Sequence, residues 1–125
     1  MIKNIGIDLV DSTRIKDIYN RYKNVFAAKI LSKKEMFEFN KSTSKISFLS
    51  KRFASKEALS KALGTGLYRK GLYPSCITVI HDINGKPEFL FDSYLEIKLK
   101  NIDAKNIFLT ISDTNSLTTA MVIIE

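Results

Sequence analysis

Apolar and polar positions follow two different periods along the chain, and the changes of period mark out its elements. Residues 2–10 (IKNIGIDLV) are short, β-branched and apolar, which predicts a buried strand with Gly6 allowing a neighbour to approach closely. Ser12 reads as the N-cap of a helix over about 13–23, on which Ile15, Ile18, Tyr19 and Tyr22 fall at i, i+3, i+4 and i+7. Arg14 and Arg21 share one flank of that stripe, Lys16 and Lys23 the other. Ser32–Lys33–Lys34–Glu35 fits a capping box opening a short helix through Met36, Phe37 and Phe39, and 41–45 (KSTSK) reads as a polar loop. A long helix follows from about Ile46 to Leu63, closed by Gly64. Its apolar residues, Ile46, Phe48, Leu49, Phe53, Ala54, Ala58, Leu59, Ala62 and Leu63, spread around much of the circumference, as expected of a central helix.

Beyond residue 75 the period shortens. CITVIHD and KPEFLF flank Asn84–Gly85, a strong hairpin signal, and 92–101 (DSYLEIKLKN) predicts one more helix. IFLTIS and LTTAMVIIE predict two strands joined through Asp113–Thr114–Asn115. Strand, helices, hairpin, helix, hairpin is an α+β order: one small domain over 1–125, with an antiparallel sheet packed on a long central helix. At 125 residues a second domain would leave neither half a sufficient core.

Composition narrows the setting. Hydrophobic residues make up 45% of the chain, enough to bury a core, yet no run approaches the ~18 apolar residues of a membrane span. The N-terminus has one early lysine, and Asp8 interrupts its apolar stretch, so it reads as a strand and lacks the layout of a secretory signal. A single cysteine, Cys76, precludes an internal disulfide, and with the one histidine, His81, it makes no zinc site; a reducing cytoplasm is the expectation. The net charge of +7 is uneven: residues 1–70 hold 16 Lys+Arg against 6 Asp+Glu, the rest 4 against 7. Such a field attracts an anionic partner, whether nucleic acid, a lipid surface, a polyphosphate or an acidic protein.

Two acids sit against the hydrophobic pattern. Asp8 stands between Ile7 and Leu9, and Glu57 lies in line with Ile46, Leu49 and Phe53 on the long helix. An unpaired buried carboxylate costs several kcal/mol, against the ~0.3–0.5 kcal/mol that an i,i+4 ion pair returns. Lys61, four residues after Glu57, offers partial compensation; an exposed strand end and a plain Glu57–Lys61 helical pair is the bland reading of the two acids. Taken together with Gly6 and Gly64–Thr65–Gly66, they fit a hard-cation site, since Mg²⁺ takes one or two carboxylates, keeps waters and recruits phosphate oxygens. Lys61, Lys56 and Arg52 place positive charge for phosphates on the same helix. Elsewhere the expectations are plain: His81 structural or exposed, Cys76 packed at a strand start, and Tyr68 and Tyr73, flanking Arg69 and Lys70, packed in the core.

These residues resemble the holo-acyl-carrier-protein synthases along essentially the whole chain. Gly6–Ile7–Asp8–Leu9–Val10 with Arg14–Ile15 is similar to that family's N-terminal motif. Arg52–Phe53–Ala54–Ser55–Lys56–Glu57–Ala58, continuing Ser60–Lys61–Ala62–Leu63–Gly64–Thr65–Gly66, is similar to its most diagnostic one. Asn84–Gly85–Lys86–Pro87 resembles its hairpin, and Ile111–Ser112–Asp113–Thr114 with Ala120–Met121–Val122–Ile123–Ile124–Glu125 its last two strands. The resemblance implies transfer of 4'-phosphopantetheine from coenzyme A to a serine of an acidic apo acyl carrier protein, releasing adenosine 3',5'-bisphosphate. It implies Mg²⁺ on Asp8 and Glu57, and coenzyme contacts from Arg52, Lys61, Gly64, Gly66, Pro87 and Thr114. It further implies docking of the carrier protein on Arg14 and Arg21, and a homotrimer with sites shared between chains. It implies Asp8, Glu57 and Lys61 as the catalytic set, with Glu57 acting through a metal-bound water as the leading candidate for the base and Lys61 the second. One departure stands out: where relatives carry Ser–His–Ser/Thr, with the histidine toward the nucleotide's 3'-phosphate, this chain has Ser112–Asp113–Thr114, and an aspartate aimed there would repel the anion. Two other readings stay open on the residues alone, a basic nucleic-acid-binding module and a different nucleotide-dependent phosphotransferase. No RNP, KH or helix-turn-helix pattern supports the first, and no Walker A loop the second.

Overall fold

Eight residues of strand, β1 (Asn4–Asp11), lead directly into a run of four helices: α1 (Ser12–Tyr22), α2 (Asn24–Ile30), α3 (Lys33–Lys41) and α4 (Lys45–Leu63). A short 3₁₀ turn (Pro74–Cys76), β2 (Val79–His81), β3 (Pro87–Phe89), α5 (Ser93–Asn101), β4 (Ile107–Asp113) and β5 (Leu117–Ile124) complete the chain. This computed structural model describes residues 1–69 and 71–125; Lys70, named above beside Tyr68 and Tyr73, lies outside the described residues. Among the described residues no helix is long and apolar enough to cross a membrane.

The expected α+β arrangement is present. Both termini of the chain meet in one antiparallel sheet of order β1-β5-β4, and β2 and β3 form a separate antiparallel hairpin. β1 pairs with β5 from Asn4↔Ile124 to Asp11↔Leu117. Because side chains alternate across a strand, Gly6, Asp8 and Val10 share the inner face with Thr118, Ala120, Val122 and Ile124, and that face lies on α4.

α4 lies at the centre. Leu49, Ala54, Ala58, Leu59 and Ala62 have no more than 1% exposure, and Gly64 closes the helix in the left-handed conformation at φ 73°. Gly6 is where β1 comes closest: a Cβ there would stand 2.1 Å from the Ala58 carbonyl oxygen and 2.7 Å from the Ala62 nitrogen. Both are backbone atoms of a buried helix and have no room to give.

Several boundaries differ from the sequence expectation. Asp11, not Ser12, caps α1, its Oδ1 accepting from the Thr13 N–H at 2.9 Å. The strand consumes one residue more than its apolar run because Asp11 still pairs with Leu117. α2 went unforeseen: NVFAAKI lacks a capping side chain and a clear stripe, and forms against α1, α4 and the 3₁₀ turn. The polar loop between α3 and α4 shrinks to 42–44, and the Lys45 ammonium donates to the Phe39 carbonyl. Tyr22 ends its stripe exposed, Cys76 is exposed in the 3₁₀ turn, and Tyr68 and Tyr73 are about half exposed, edge to face on one another. The apolar side of β1 faces outward: Ile5, Ile7 and Leu9 are exposed, beside Met121 of β5 and Phe108 of β4.

Replacing Gly6 with alanine should lower stability by about 3 kcal/mol, at the upper end of overpacking costs, measured from the urea midpoint. A variant with an unchanged midpoint would show that β1 and α4 can separate.

Candidate active site

Asp8 reaches the site because β1 presents it on the helix side, two residues past the Gly6 contact. Glu57 and Lys61 each precede one of the alanines at that contact, so one crossing brings all three together. The Lys61 ammonium donates to Asp8 Oδ1 at 3.0 Å and to the Ile7 carbonyl at 2.9 Å. Lys61 therefore compensates Asp8 first, where the sequence suggested Glu57. The Asp8 carboxylate is 15% exposed, the Lys61 side chain 52%.

Glu57 is left with a charge problem. Burial raises its pKa, the nearby Asp8 charge raises it further, and Lys61 and a hydrogen bond with Ser60 oppose both only in part. Among the described residues no ion pair to Glu57 forms. Two carboxylates near one another are donors of the kind a hard dication takes, and among the described residues no third Asp, Glu, His or Cys joins them. The residues present fit Mg²⁺ held by Asp8 and Glu57, with its remaining positions left to water and substrate oxygens.

Beside the acids opens a groove of about 520 Å³ lined by Asp8, Leu9, Val10, Asp11, Arg14, Ile15, Ile18, Phe26, Phe53 and Glu57. Arg14 stands on its wall, and Arg21 is exposed in the last turn of the same helix. Apolar floor, basic rim and an acidic end meet in one place.

Other anticipated site residues lie elsewhere. Arg52 is buried: its guanidinium sits against Glu35 (Nε to Oε2, 3.4 Å), Glu38 (3.5 Å) and the Phe48 ring. Burial lowers its pKa against the pull of both acids. Lys56, expected to serve phosphates, is fully buried, donating to Glu35, to the Ile30 carbonyl at 2.7 Å and to the Pro74 carbonyl at 2.9 Å. Burial brings its pKa down to about 8. Lys56 thus belongs to the core and supplies no charge to a ligand. The acid that sequence reasoning underrated is Glu35, 0% exposed, which completes the capping box and also accepts from the Val79 N–H at 2.9 Å. Its signal was present in Arg52 and Lys56, two cations one turn apart on a buried helix.

At the end of α4 the amides of Gly64, Thr65 and Gly66 turn back onto the Lys61 and Ser60 carbonyls. Gly64 and Gly66 (φ 73° and 71°) thus provide a tight turn and close approach, with those amides already engaged. Pro87 lines a second groove with Phe89, Lys105 and Phe108, while Thr114 borders a small cavity with Ser12, Ile46 and Asp113. Neither lines the groove of the acids. The Thr114 hydroxyl accepts from the Leu117 N–H at 3.2 Å within its turn, and Asp113 faces Lys51 of α4 at 3.7 Å.

The model of the 4'-phosphopantetheinyl transferase superfamily matches residues 4–118. The chain belongs to that superfamily. Within this superfamily it is similar to the holo-[acyl-carrier-protein] synthase of Nitrosospira multiformis, at 43% identity over 100% of this chain and 99% of the relative. It is also similar to the synthase of Blochmanniella pennsylvanica, at 40% over 100% and 99%. Among solved structures, that of the Neisseria meningitidis synthase superimposes with a TM-score of 0.92 at 36% identity, covering 100% of this chain and 99% of that one. The Helicobacter pylori synthase, solved in complex with coenzyme A, gives 0.82 at 28%, covering 97% and 99%. The span matched by the superfamily model includes Asp8, Glu57 and Lys61.

The raised pKa of Glu57 has a sign that can be checked. The folded chain holds that proton to higher pH than the unfolded chain, whose carboxyl sits near 4.5. This contribution to stability is complete below 4.5 and is lost as pH rises through the folded value. Glu57→Gln should melt about as wild type does at pH 4 and at a higher temperature at pH 7. An equal offset at both pH values in calorimetry would contradict the charge conflict.

Proposed function

We propose that this transferase moves 4'-phosphopantetheine from coenzyme A onto a serine hydroxyl of an acidic apo acyl carrier protein, with Mg²⁺, and releases adenosine 3',5'-bisphosphate. The observation that carries the reading is the convergence of Asp8, Glu57 and Lys61 beside a groove with an apolar floor and a basic wall. The coenzyme A complex of the Helicobacter pylori relative supports the donor.

Mg²⁺ held by Asp8 and Glu57 would supply Lewis-acid neutralisation of the diphosphate. The chain's own residues do the rest. Arg14 and Arg21, on the exposed side of α1, attract the acidic carrier and seat it over the groove, where Ile18, Phe26 and Phe53 exclude water. The serine oxygen attacks the phosphorus that bears pantetheine, and the bond from that phosphorus to the bridging oxygen breaks. The electron pair leaves on the bisphosphate, whose charge the half-exposed Lys61 ammonium balances on leaving Asp8 and the Ile7 carbonyl. Glu57, which lines the groove where the carrier serine arrives, takes the serine proton through an intervening water. The basic first half of the chain finds its anion in the carrier protein.

The exposed apolar face of the sheet, Ile5, Ile7, Leu9, Phe108 and Met121, supports a homotrimer in which these strands are covered by copies of the chain. Pro87 and Thr114, distant from the acids on their own chain, would then act in a neighbour's site.

Incubation with coenzyme A, Mg²⁺ and apo carrier protein should add one phosphopantetheine to the carrier, read by intact mass, and chelation should stop it. Glu57→Gln should reduce the rate by about 100-fold or more with the fold retained; near-wild-type turnover would remove Glu57 from the chemistry. Ile7→Lys should yield smaller species in light scattering, and an unchanged mass would detach this sheet face from assembly.

A further inference from the structure

α3 turns one side to solvent that neither the acids nor the carrier groove uses. Its inward side is fixed by Glu35, which pairs with Lys56 and Arg52, and by Phe39, which packs on the rings of Tyr19 and Phe48. Helix geometry, at about 100° per residue, then sets the outward side. Phe37 stands at its middle, with Lys33 and Asn40 on one flank and Lys34 and Lys41 on the other, and all five are exposed. Phe37 itself is 63% exposed, and the Lys41 ammonium lies over its ring, 4.1 Å from the centroid. Among the described residues none of these three lysines pairs with an acid. The other acid of the helix, Glu38, is turned to the Arg52 guanidinium at 3.5 Å.

One exposed phenylalanine is ordinary on a protein surface. A ring set at the centre of three uncompensated lysines is a more particular arrangement, and it discriminates among anions. Lysine is a point charge on a long flexible stem, which suits a fluid array of phosphate headgroups, whereas the planar fork of arginine suits the fixed carboxylates of a folded partner. The carrier wall carries arginines, Arg14 and Arg21; this face carries none. A polynucleotide would use the ring by stacking a base on it, and Lys41 already covers one face of Phe37. At the boundary of a bilayer the ring leaves water while the ammonium groups stay at headgroup level, so the apolar and the charged parts act together.

We propose that this face of α3 docks on an anionic lipid surface, with Phe37 entering the boundary between headgroups and acyl chains and Lys33, Lys34 and Lys41 held at lipid phosphates. Nine residues of helix with one inserted ring make a weak, reversible contact that lies on the membrane without crossing it. The full chain should sediment with vesicles of equal parts phosphatidylcholine and phosphatidylglycerol, come off as salt is raised, and stay in solution with phosphatidylcholine alone. Lys34→Gln and Lys41→Gln should each weaken vesicle binding by about fivefold, and Phe37→Ala by about the same factor with the charge unchanged. Arg14→Gln, which removes one charge from the carrier wall, should weaken it less than any of the three. Phe37→Ala should also modify carrier protein in solution at the wild-type rate, which shows that its fold is intact. Vesicle binding by Phe37→Ala equal to that of wild type would overturn the proposal, since charge alone would then hold the chain. An Arg14→Gln loss as large as that of Lys34→Gln would do the same. Tighter binding of single-stranded RNA than of vesicles, weakened by Phe37→Ala, would assign the face to nucleic acid instead.

Discussion

A strand crossing a helix with no side chain between them fixes where everything else in this molecule can be. Gly6 stands so close to α4 that one methyl group would strike the Ala58 carbonyl and the Ala62 nitrogen. From that point the geometry is forced. A strand repeats its face every two residues, so Asp8 is the next inward position of β1. A helix places i and i+4 side by side, so Ala58 and Ala62 make the contact while Glu57 and Lys61, one residue earlier in each turn, flank it together. Backbone contact and chemical site are thus one device, in which the alanines permit the approach and their neighbours use it.

The opposite side of α4 is held by charge enclosed in the core. Glu35 accepts from Lys56, from the Ser32 and Val79 amides, and faces Arg52, while Lys56 also donates to the carbonyls of Ile30 and Pro74. One acid and two cations thereby join the ends of α2 and α3, the 3₁₀ turn and β2 to the central helix. A buried pair of this kind adds little net stability, since desolvation cancels most of the attraction. Its value lies in specificity: any other packing of these elements would leave a charge alone in the core. α4 consequently sorts its cations by depth, with Arg52 and Lys56 paired to acids inside and Lys61 reaching the solvent.

What the sequence revealed, and what it concealed, follows from these same contacts. The central helix, its glycine stop, the capping box at Ser32 and the close approach at Gly6 are local or nearly local signals, and each was readable. So were Asp8 and Glu57, because a carboxylate in an apolar pattern is conspicuous. The partner of Lys61 was not: the i,i+4 rule points to Glu57, whereas a strand 53 residues away supplies Asp8 and the Ile7 carbonyl. Lys56 misled for a related reason, since a basic residue on a helix gives no sign of whether it faces ligand or core until its acids are placed. The outward face of β1 was hidden as well. Isoleucine at 5 and 7 reads as core, and only the glycine, the aspartate and the valine of the other face show which side meets the helix.

The charge of the cluster explains why a small, basic chain keeps acids at its centre. Asp8, Glu57 and Lys61 together carry one negative charge more than positive, and the raised pKa of Glu57 records the cost of that excess. By themselves these side chains would repel a diphosphate. Joined by the proposed dication they would become net positive and attract it, so the acids and the cation would select a phosphate ligand together where neither would do so alone. A second lysine in place of Glu57 would attract diphosphate without a metal, but it would remove the proton acceptor and bind the leaving bisphosphate as tightly as the substrate. Such uniform binding lowers KM without raising kcat. On the transferase reading proposed above, the unfavourable acid pair is the feature that would let one site hold the donor, accept a proton and release the product.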